Sequence, residues 1–509
     1  MTGISRHVWV LFRTAWVWII GWPVALCLLL YLAAASIKAL YPDAMARAAY
    51  EQMVSSSVAT SVFQGRGYEL ASWGGELAQE MGILTLTIFP LVAAASAIRL
   101  TRTAEDRGTL DIITAGQVGR LAPVAAGLLG TIASAAATGG LAAVVLVLTD
   151  YPVKGSWLYG LSIALMMAWS GALGLFSGQV FRDGHQAQRY AILVIVLGYL
   201  LRGYIDVYDL SATWLTPFSW LAESRAFSTE PPIWPYLAFV GLTLILSVAA
   251  LVTTAHRDLG GGAFAARPGP VGASRWLVSP AALMLRLTRS GVVSVLLPSA
   301  IASLVFGLFA REMANEGLDQ RLALLAQLNA ILACIVSARM GMTVLGEETS
   351  GRTGRVLAGL LSRSNWLVTA FLTNILVGLF SLSVTGAAGA LGLMIGLEDT
   401  ERFAPMYWDT MGYAPAVLLI GAIMIGLTSI RPRLGSLIWV LVVWMAIVAL
   451  RADLLRLSDE MKHISPLEWL GKVPIESYHA KAAIIMAGMA LAGAGVSLLV
   501  FRRRDLVAG

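Results

Sequence analysis

Residues Arg99 to Arg120 read R-L-T-R-T-A-E-D-R-G-T-L-D-I-I-T-A-G-Q-V-G-R, a dense charged island between two long apolar runs. A looser copy spans Arg339 to Arg363 and reads R-M-G-M-T-V-L-G-E-E-T-S-G-R-T-G-R-V-L-A-G-L-L-S-R. Aligning Gly108 with Gly351 also matches Glu105 with Glu348, Ala115 with Ala358 and Arg120 with Arg363. One charged loop between apolar runs is only a connection. The same loop at the same place in two halves of a chain suggests a working part.

The surroundings of these loops set the fold class. The chain has 509 residues, 58% hydrophobic and 13% charged, with mean hydropathy +0.75. Soluble chains carry about 25% charged residues, so this composition describes an all-α polytopic membrane protein. Runs of about 20 apolar residues place twelve spans. The first six are near 16–38, 81–99, 121–148, 158–181, 190–206 and 233–254. The second six are near 292–310, 322–345, 365–395, 414–430, 434–453 and 481–501. The apolar run from Trp16 to Ile37 is of full spanning length, so it is expected to be an uncleaved first span rather than a signal peptide. Cys27 and Cys334 both lie in apolar runs and form no disulfide framework.

Charge sets the expected orientation. With the N-terminus inside, 22 of the 36 basic residues and only eight acids fall on the inner side. That is the positive-inside pattern and predicts both termini in the cytoplasm of a bacterial plasma membrane. The basic pI of about 9.4 is then a matter of topology and anionic lipid, and implies no nucleic-acid partner. The Gly- and Pro-rich stretch at 256–276 is read as a cytoplasmic linker between a first half (1–255) and a second half (277–509). Each half is expected to carry an elbow helix, Ser5 to Ala15 and Ser279 to Arg289, ahead of its six spans. Pro217-Phe218-Ser219-Trp220 and Pro466-Leu467-Glu468-Trp469 extend the duplication. An even number of spans per half makes the repeats parallel, with pseudo-two-fold symmetry about the membrane normal.

Several chemistries are missing. No G-x-x-x-x-G-K-[ST] sequence occurs, so the chain lacks a P-loop of its own. The five histidines show no metal-ligand spacing, and no catalytic residue or metal ligand is assigned. Lys38, Arg202, Asp206, Arg451 and Asp453 sit near the outer ends of spans, leaving no evident proton relay through the middle. Attention therefore returns to the loops. Glu105, Asp106 and Arg107 flank Gly108 in the first; Glu347 and Glu348 precede Gly351 in the second, where Glu348 and Arg352 have the spacing of an i,i+4 pair. Each loop is expected to be a short amphipathic helix that offers its charges to a cytosolic partner.

At these residues the sequence resembles the membrane subunits of ATP-binding-cassette exporters, in particular duplicated actinobacterial permeases described as exporters of polyketide antibiotics. Glu105, Gly108, Asp111, Ala115, Val118 and Arg120 match that family's loop in the first half. Glu347, Glu348, Gly351, Arg352, Leu357, Ala358, Ser362 and Arg363 match it in the second, and Arg257 to Pro270 looks like its inter-half linker. The pattern departs at Gln117, Gly354 and Leu360-Leu361. The resemblance implies a type V-like exporter fold and a multidrug or antibiotic efflux function. It implies that Glu105, Asp106, Arg107, Gly108, Arg120, Glu347, Glu348, Gly351, Arg352 and Arg363 form two coupling elements. Two copies of a separate ATPase subunit would bind there, and those subunits would carry the ATP and magnesium; this chain would hold no cofactor. It further implies a path for amphipathic drugs lined by Thr85, Phe89, Tyr199, Gln327, Asn329, Trp439 and Trp444. Two alternatives stand beside it. One is a proton-coupled twelve-span facilitator, superficially echoed by Asp106-Arg107-Gly108. The other is a non-transport membrane scaffold.

Overall fold

The computed structural model describes residues 4–106, 108, 110, 119–258, 260–263, 272, 274–275, 277–313, 317–359 and 361–504. The described residues are helical throughout, with no β-strand among them. They divide into two compact units, Met1–Pro268 and Gly269–Gly509, and the division falls within the Gly/Pro-rich stretch. Among the described residues, twelve helices are long and apolar enough to cross a membrane, which makes this a multi-pass membrane protein. In the first unit, spans one to six are Val17–Leu40, Gly82–Asp106, Ala122–Leu148, Val153–Val180, Gly184–Val207 and Trp234–His256. In the second, spans seven to twelve are Pro280–Leu308, Leu318–Thr349, Arg363–Leu397, Thr400–Ile430, Pro432–Arg451 and Ala480–Arg503. Helix starts follow local chemistry. Asp183, Ser279 and Ser362 cap spans five, seven and nine by accepting from the backbone N–H three residues on.

The two units share one packing pattern. In each, the unit's first span packs on its third, its second on its fourth and fifth, and its fourth on its third and sixth. Small residues permit the closest crossings, as expected where helices meet without a hydrophobic drive between them. A Cβ on Gly160 would sit 2.3 Å from the carbonyl oxygen of Gly139, so spans three and four touch backbone to backbone. In the second unit, Asn329 donates to Ser303 Oγ (3.0 Å), which donates to the Thr385 carbonyl (2.9 Å), tying spans eight, seven and nine. Asn374 Nδ2 likewise donates to the Ser337 carbonyl (2.9 Å).

Of the two stretches expected as elbow helices, only the first is a separate helix. Ile4–Thr14 is a separate helix, joined to span one through a π-helical turn at Val17–Gly21. The stretch Ser279 to Arg289 forms no separate element: Pro280–Leu308 is a single helix of 29 residues. Capping by Ser279 and Pro280 at the first turn launches it, and no Gly or Pro follows until Gly291, so nothing stops the helix between the amphipathic stretch and the span.

The loop between spans one and two contains three helices, Ala44–Ser55, Val58–Gln64 and Trp73–Glu80. It is anchored on span five. Arg202 is fully buried, donates to the carbonyls of Ser61 (3.1 Å) and Val62, and pairs with Asp206 at 3.2 Å. Arg66 reaches Asp206 from the loop at 3.2 Å. Arg202 and Asp206, placed near an outer span end by the sequence, thus form a buried brace. Glu76 in the same loop is completely buried, and neither carboxylate oxygen is hydrogen-bonded.

Candidate functional site

The candidate site is built where span two and span eight end. Span two's regular helix runs to Leu100, Thr101 breaks it, and a short helix follows at Arg102–Asp106. Gly108 then adopts φ +70°, and its N–H donates to the Glu105 carbonyl at 2.9 Å. Span eight is continuous to Thr349 but closes on the same glycine turn. Gly351 has φ +71°, its N–H donates to the Glu348 carbonyl at 2.9 Å, and a short helix continues at Arg352–Leu357. Both positions need the left-handed backbone that glycine reaches without steric cost. The alignment of Gly108 with Gly351, made on sequence, is therefore a structural identity.

Glu105 is the centre of a buried network. Its carboxylate accepts from Arg257 Nη1 (2.8 Å) and Nη2 (2.6 Å), Gly260 N (2.6 Å) and Arg102 Nη1 (3.1 Å). Gln179 Oε1, one residue from the end of span four, accepts from Arg257 Nε (3.0 Å) and Nη2 (2.8 Å) and from Thr254 on span six (3.1 Å). Arg102 also donates to the carbonyls of Gly261 (2.8 Å) and Arg182. Asp106 pairs with Arg102 at 3.3 Å and accepts from Gly184 N at 2.7 Å, the first residue of span five. One cluster thus fastens the ends of spans two, four and six, the start of span five and the start of the linker. Charges out of water persist only when paired and fully hydrogen-bonded, and Arg257 has an acceptor for each of its three nitrogens. Arg120 stands apart, in an exposed contact with Asp258 at 3.7 Å. Arg107, Asp111, Ala115, Gln117 and Val118 lie outside the described residues.

The second unit repeats the theme with fewer parts. Arg504 Nη2 lies 2.7 and 2.8 Å from the two oxygens of Glu348, and Glu348 is only 7% exposed. Arg363, at the start of span nine, donates to the Arg504 carbonyl at 2.7 Å. Arg504 Nε and Nη1 are buried without an acceptor. Arg257 and Arg504 hold the same station: each is the first residue beyond the last span of its unit, with extended backbone. Each also begins the tripeptide R-D-L, Arg257-Asp258-Leu259 and Arg504-Asp505-Leu506. That repeat is the sequence signal that could have identified them; counted by charge alone, they are only topology-setting arginines.

Two expectations need correction. Glu348 and Arg352 form no i,i+4 pair, because left-handed Gly351 interrupts the helix between them. Arg352 instead doubles back to Glu347 with contacts of 2.8 and 2.7 Å. Nor do Glu105 and Glu348 present their charges outward; both are turned into the protein. What faces out on the second loop is Arg352, Gly354 and Arg355, with Thr353 buried beneath.

The expected path residues are mostly packed core. Thr85 Oγ1 is bonded to carbonyls of its own helix, and Phe89 and Asn329 are buried. Tyr199 donates to the Phe63 carbonyl (2.7 Å), and Trp444 to the Met461 carbonyl (3.1 Å). Trp439 is half-buried, and Gln327 is buried with its Nε2 unbonded. None of them lines the cavity between Gln64, Tyr68, Gln79, Tyr159 and Arg225. The Pro-x-x-Trp repeat does have a shared geometry. Trp220 donates to the carbonyl of Trp214 (2.9 Å) and Trp469 to that of His463 (2.7 Å), six residues upstream in both cases.

Known proteins resemble this chain over the same ground. Residues 314–502 match the family model described as multidrug efflux system permease Rv1217c, C-terminal domain. The multidrug efflux system permease protein Rv1217c of Mycobacterium tuberculosis (strain ATCC 25618 / H37Rv) is 25% identical over 492 residues, covering 93% of this chain and 89% of that protein. Over nearly its whole length the chain is thus a homologue of a mycobacterial multidrug efflux permease.

Proposed function

We propose that this chain is the transmembrane subunit of an ATP-driven efflux pump for amphipathic drug-like molecules, with ATP hydrolysed by two copies of a separate ATPase subunit. The observation that carries the reading is the duplicated end of the second span. Each unit ends its second span at a buried Glu–Arg pair and a left-handed glycine, and in the second unit a short helix follows, in a chain whose sequence has no P-loop. Likeness to a multidrug efflux permease supports the efflux direction and the class of cargo. In this reading the segment beyond each glycine docks one ATPase subunit, and in the second unit the outward Arg352 and Arg355 make the contact. The positive-inside charge pattern supports cytoplasmic termini in a bacterial plasma membrane.

The test is co-purification of the chain with a soluble P-loop ATPase from the same operon. A stable complex whose hydrolysis rises with added amphipathic cation is expected. Proton-driven efflux by the chain alone, with no ATPase bound, would refute the reading.

A further inference from the structure

We propose that Arg257 and Arg504 are positioning residues: with Glu105 and Glu348 they form a latch in each unit between the end of the second span and the end of the sixth, which in the second unit makes Arg352–Leu357 move as one body with the end of the sixth span. Three features lead there. The pair recurs at the same station in both units, closed by a bond of 2.6 Å in one and 2.7 Å in the other. All four residues are interior or nearly so; Glu105 and Glu348 are 8% and 7% exposed, which leaves no carboxylate face for a partner. The glycine that follows each acid has left-handed φ, and in the second unit the short helix Arg352–Leu357 joins the span through that bend, not through a continuous helix. A bend carries little force by itself. The latch supplies the second point of attachment that a lever needs.

The two latches differ in strength. Arg257 is braced by Gln179, Arg102 donates to the same carboxylate, and every Arg257 nitrogen is used. Arg504 contacts Glu348 through one nitrogen and leaves two buried without acceptors. The second latch is therefore the one open to a clean exchange of charges. The bond from Arg363 goes to the Arg504 backbone carbonyl, which survives a change of side chain.

The latch rests on the efflux-subunit reading only for its transport measurement, and the experiment keeps the two apart. Hydrogen exchange of the Arg352–Leu357 amides is measured on the purified chain alone in wild type, R504K, R504Q, E348Q and the swap E348R/R504E. Loss of the pair in R504Q and E348Q is expected to speed exchange about tenfold, with R504K and the swap near wild type. The same variants, reconstituted with the ATPase, are assayed for ethidium exported per ATP hydrolysed. That ratio should fall in R504Q, with the ATPase still bound, and return in the swap. Unchanged exchange in R504Q overturns the latch whatever the ATPase does. So does faster exchange that the swap fails to restore in a protein that accumulates normally, or loss of ATPase binding with exchange unaltered. If the wild-type chain neither binds nor stimulates an ATPase, the efflux-subunit reading falls, and exchange alone still decides the latch.

Discussion

Glu76 shows how much one buried side chain can reveal about its surroundings. It lies in the loop between spans one and two, fully enclosed, with Arg47 near enough to favour its charge and Glu80 near enough to oppose it. Burial, reinforced by Glu80, raises its pKa to about 7, against the pull of Arg47. Burial raises the pKa of Tyr41, Tyr50 and Tyr151, the Glu76 charge adds to the effect, and Tyr50 donates to Glu80 at 2.9 Å. A carboxyl whose folded pKa is raised contributes fully below its unfolded value, and the contribution is lost as pH rises through the folded value. Stability should therefore fall between about pH 4.5 and pH 7. Glu76→Gln, which stays neutral, should raise the melting temperature at about pH 8 and change it little at about pH 5. Equal shifts at the two pH values would show that the group does not titrate between them. Nothing in the sequence around Glu76 advertises this state. Enclosure of this carboxyl is a property of the assembled loop.

Helices meet by contact, and the contacts are where single atoms matter most. Gly139 and Gly160 each leave room for the other's carbonyl, so that a methyl on either would fall inside the opposite backbone. Gly160→Ala should cost about 1–3 kcal/mol through forced separation of spans three and four. Gly140, next along span three, has no neighbouring atom within 4 Å of where a methyl group would sit, so Gly140→Ala should be near neutral. Thermal unfolding in detergent compares the two; equal effects would mean the crossing is looser than described. The elements themselves were legible because twenty apolar residues in a row allow little else in a bilayer. Their ends were less so. Span eight runs Leu318–Thr349 where the apolar run suggested 322–345, because Glu347 and Glu348 remain helical once one is paired with Arg352 and the other with Arg504. The latch arginines escape the sequence for a related reason. Glu105 and Arg257 are 152 residues apart, and a charge count already accounts for every inner arginine as topology.

Each unit repeats the other's packing pattern, its left-handed glycine, its Trp-to-carbonyl turn and its Glu–Arg pair. Sequence identity between the halves is too sparse to display all of that. The turn signals were readable because glycine and tryptophan are chemically distinctive, whereas helix contacts are met by many combinations of small and aliphatic residues. The repeats have also drifted where the demands on them differ. The first begins with a separate helix and a π-turn; the second runs straight into its span. In the first latch every Arg257 nitrogen has an acceptor; in the second, one Arg504 nitrogen meets both Glu348 oxygens and the other two have none. Divergence of this kind leaves one half mechanically softer than the other at the same station.

Helix length has a consequence for the surrounding lipid. Pro280–Leu308 and Arg363–Leu397 hold 29 and 35 residues, or about 44 and 52 Å of helix at 1.5 Å per residue, against a hydrocarbon core of about 30 Å. Such rods meet a thin membrane by leaning over and a thick one by standing up. The second unit's inclination should therefore answer to acyl-chain length. In vesicles, export should be slower in dimyristoyl than in dioleoyl lipid at matched fluidity, and equal rates would mean that neighbouring helices alone hold the tilt. Bilayer thickness then acts on this protein as a tuning variable, alongside anything it exports.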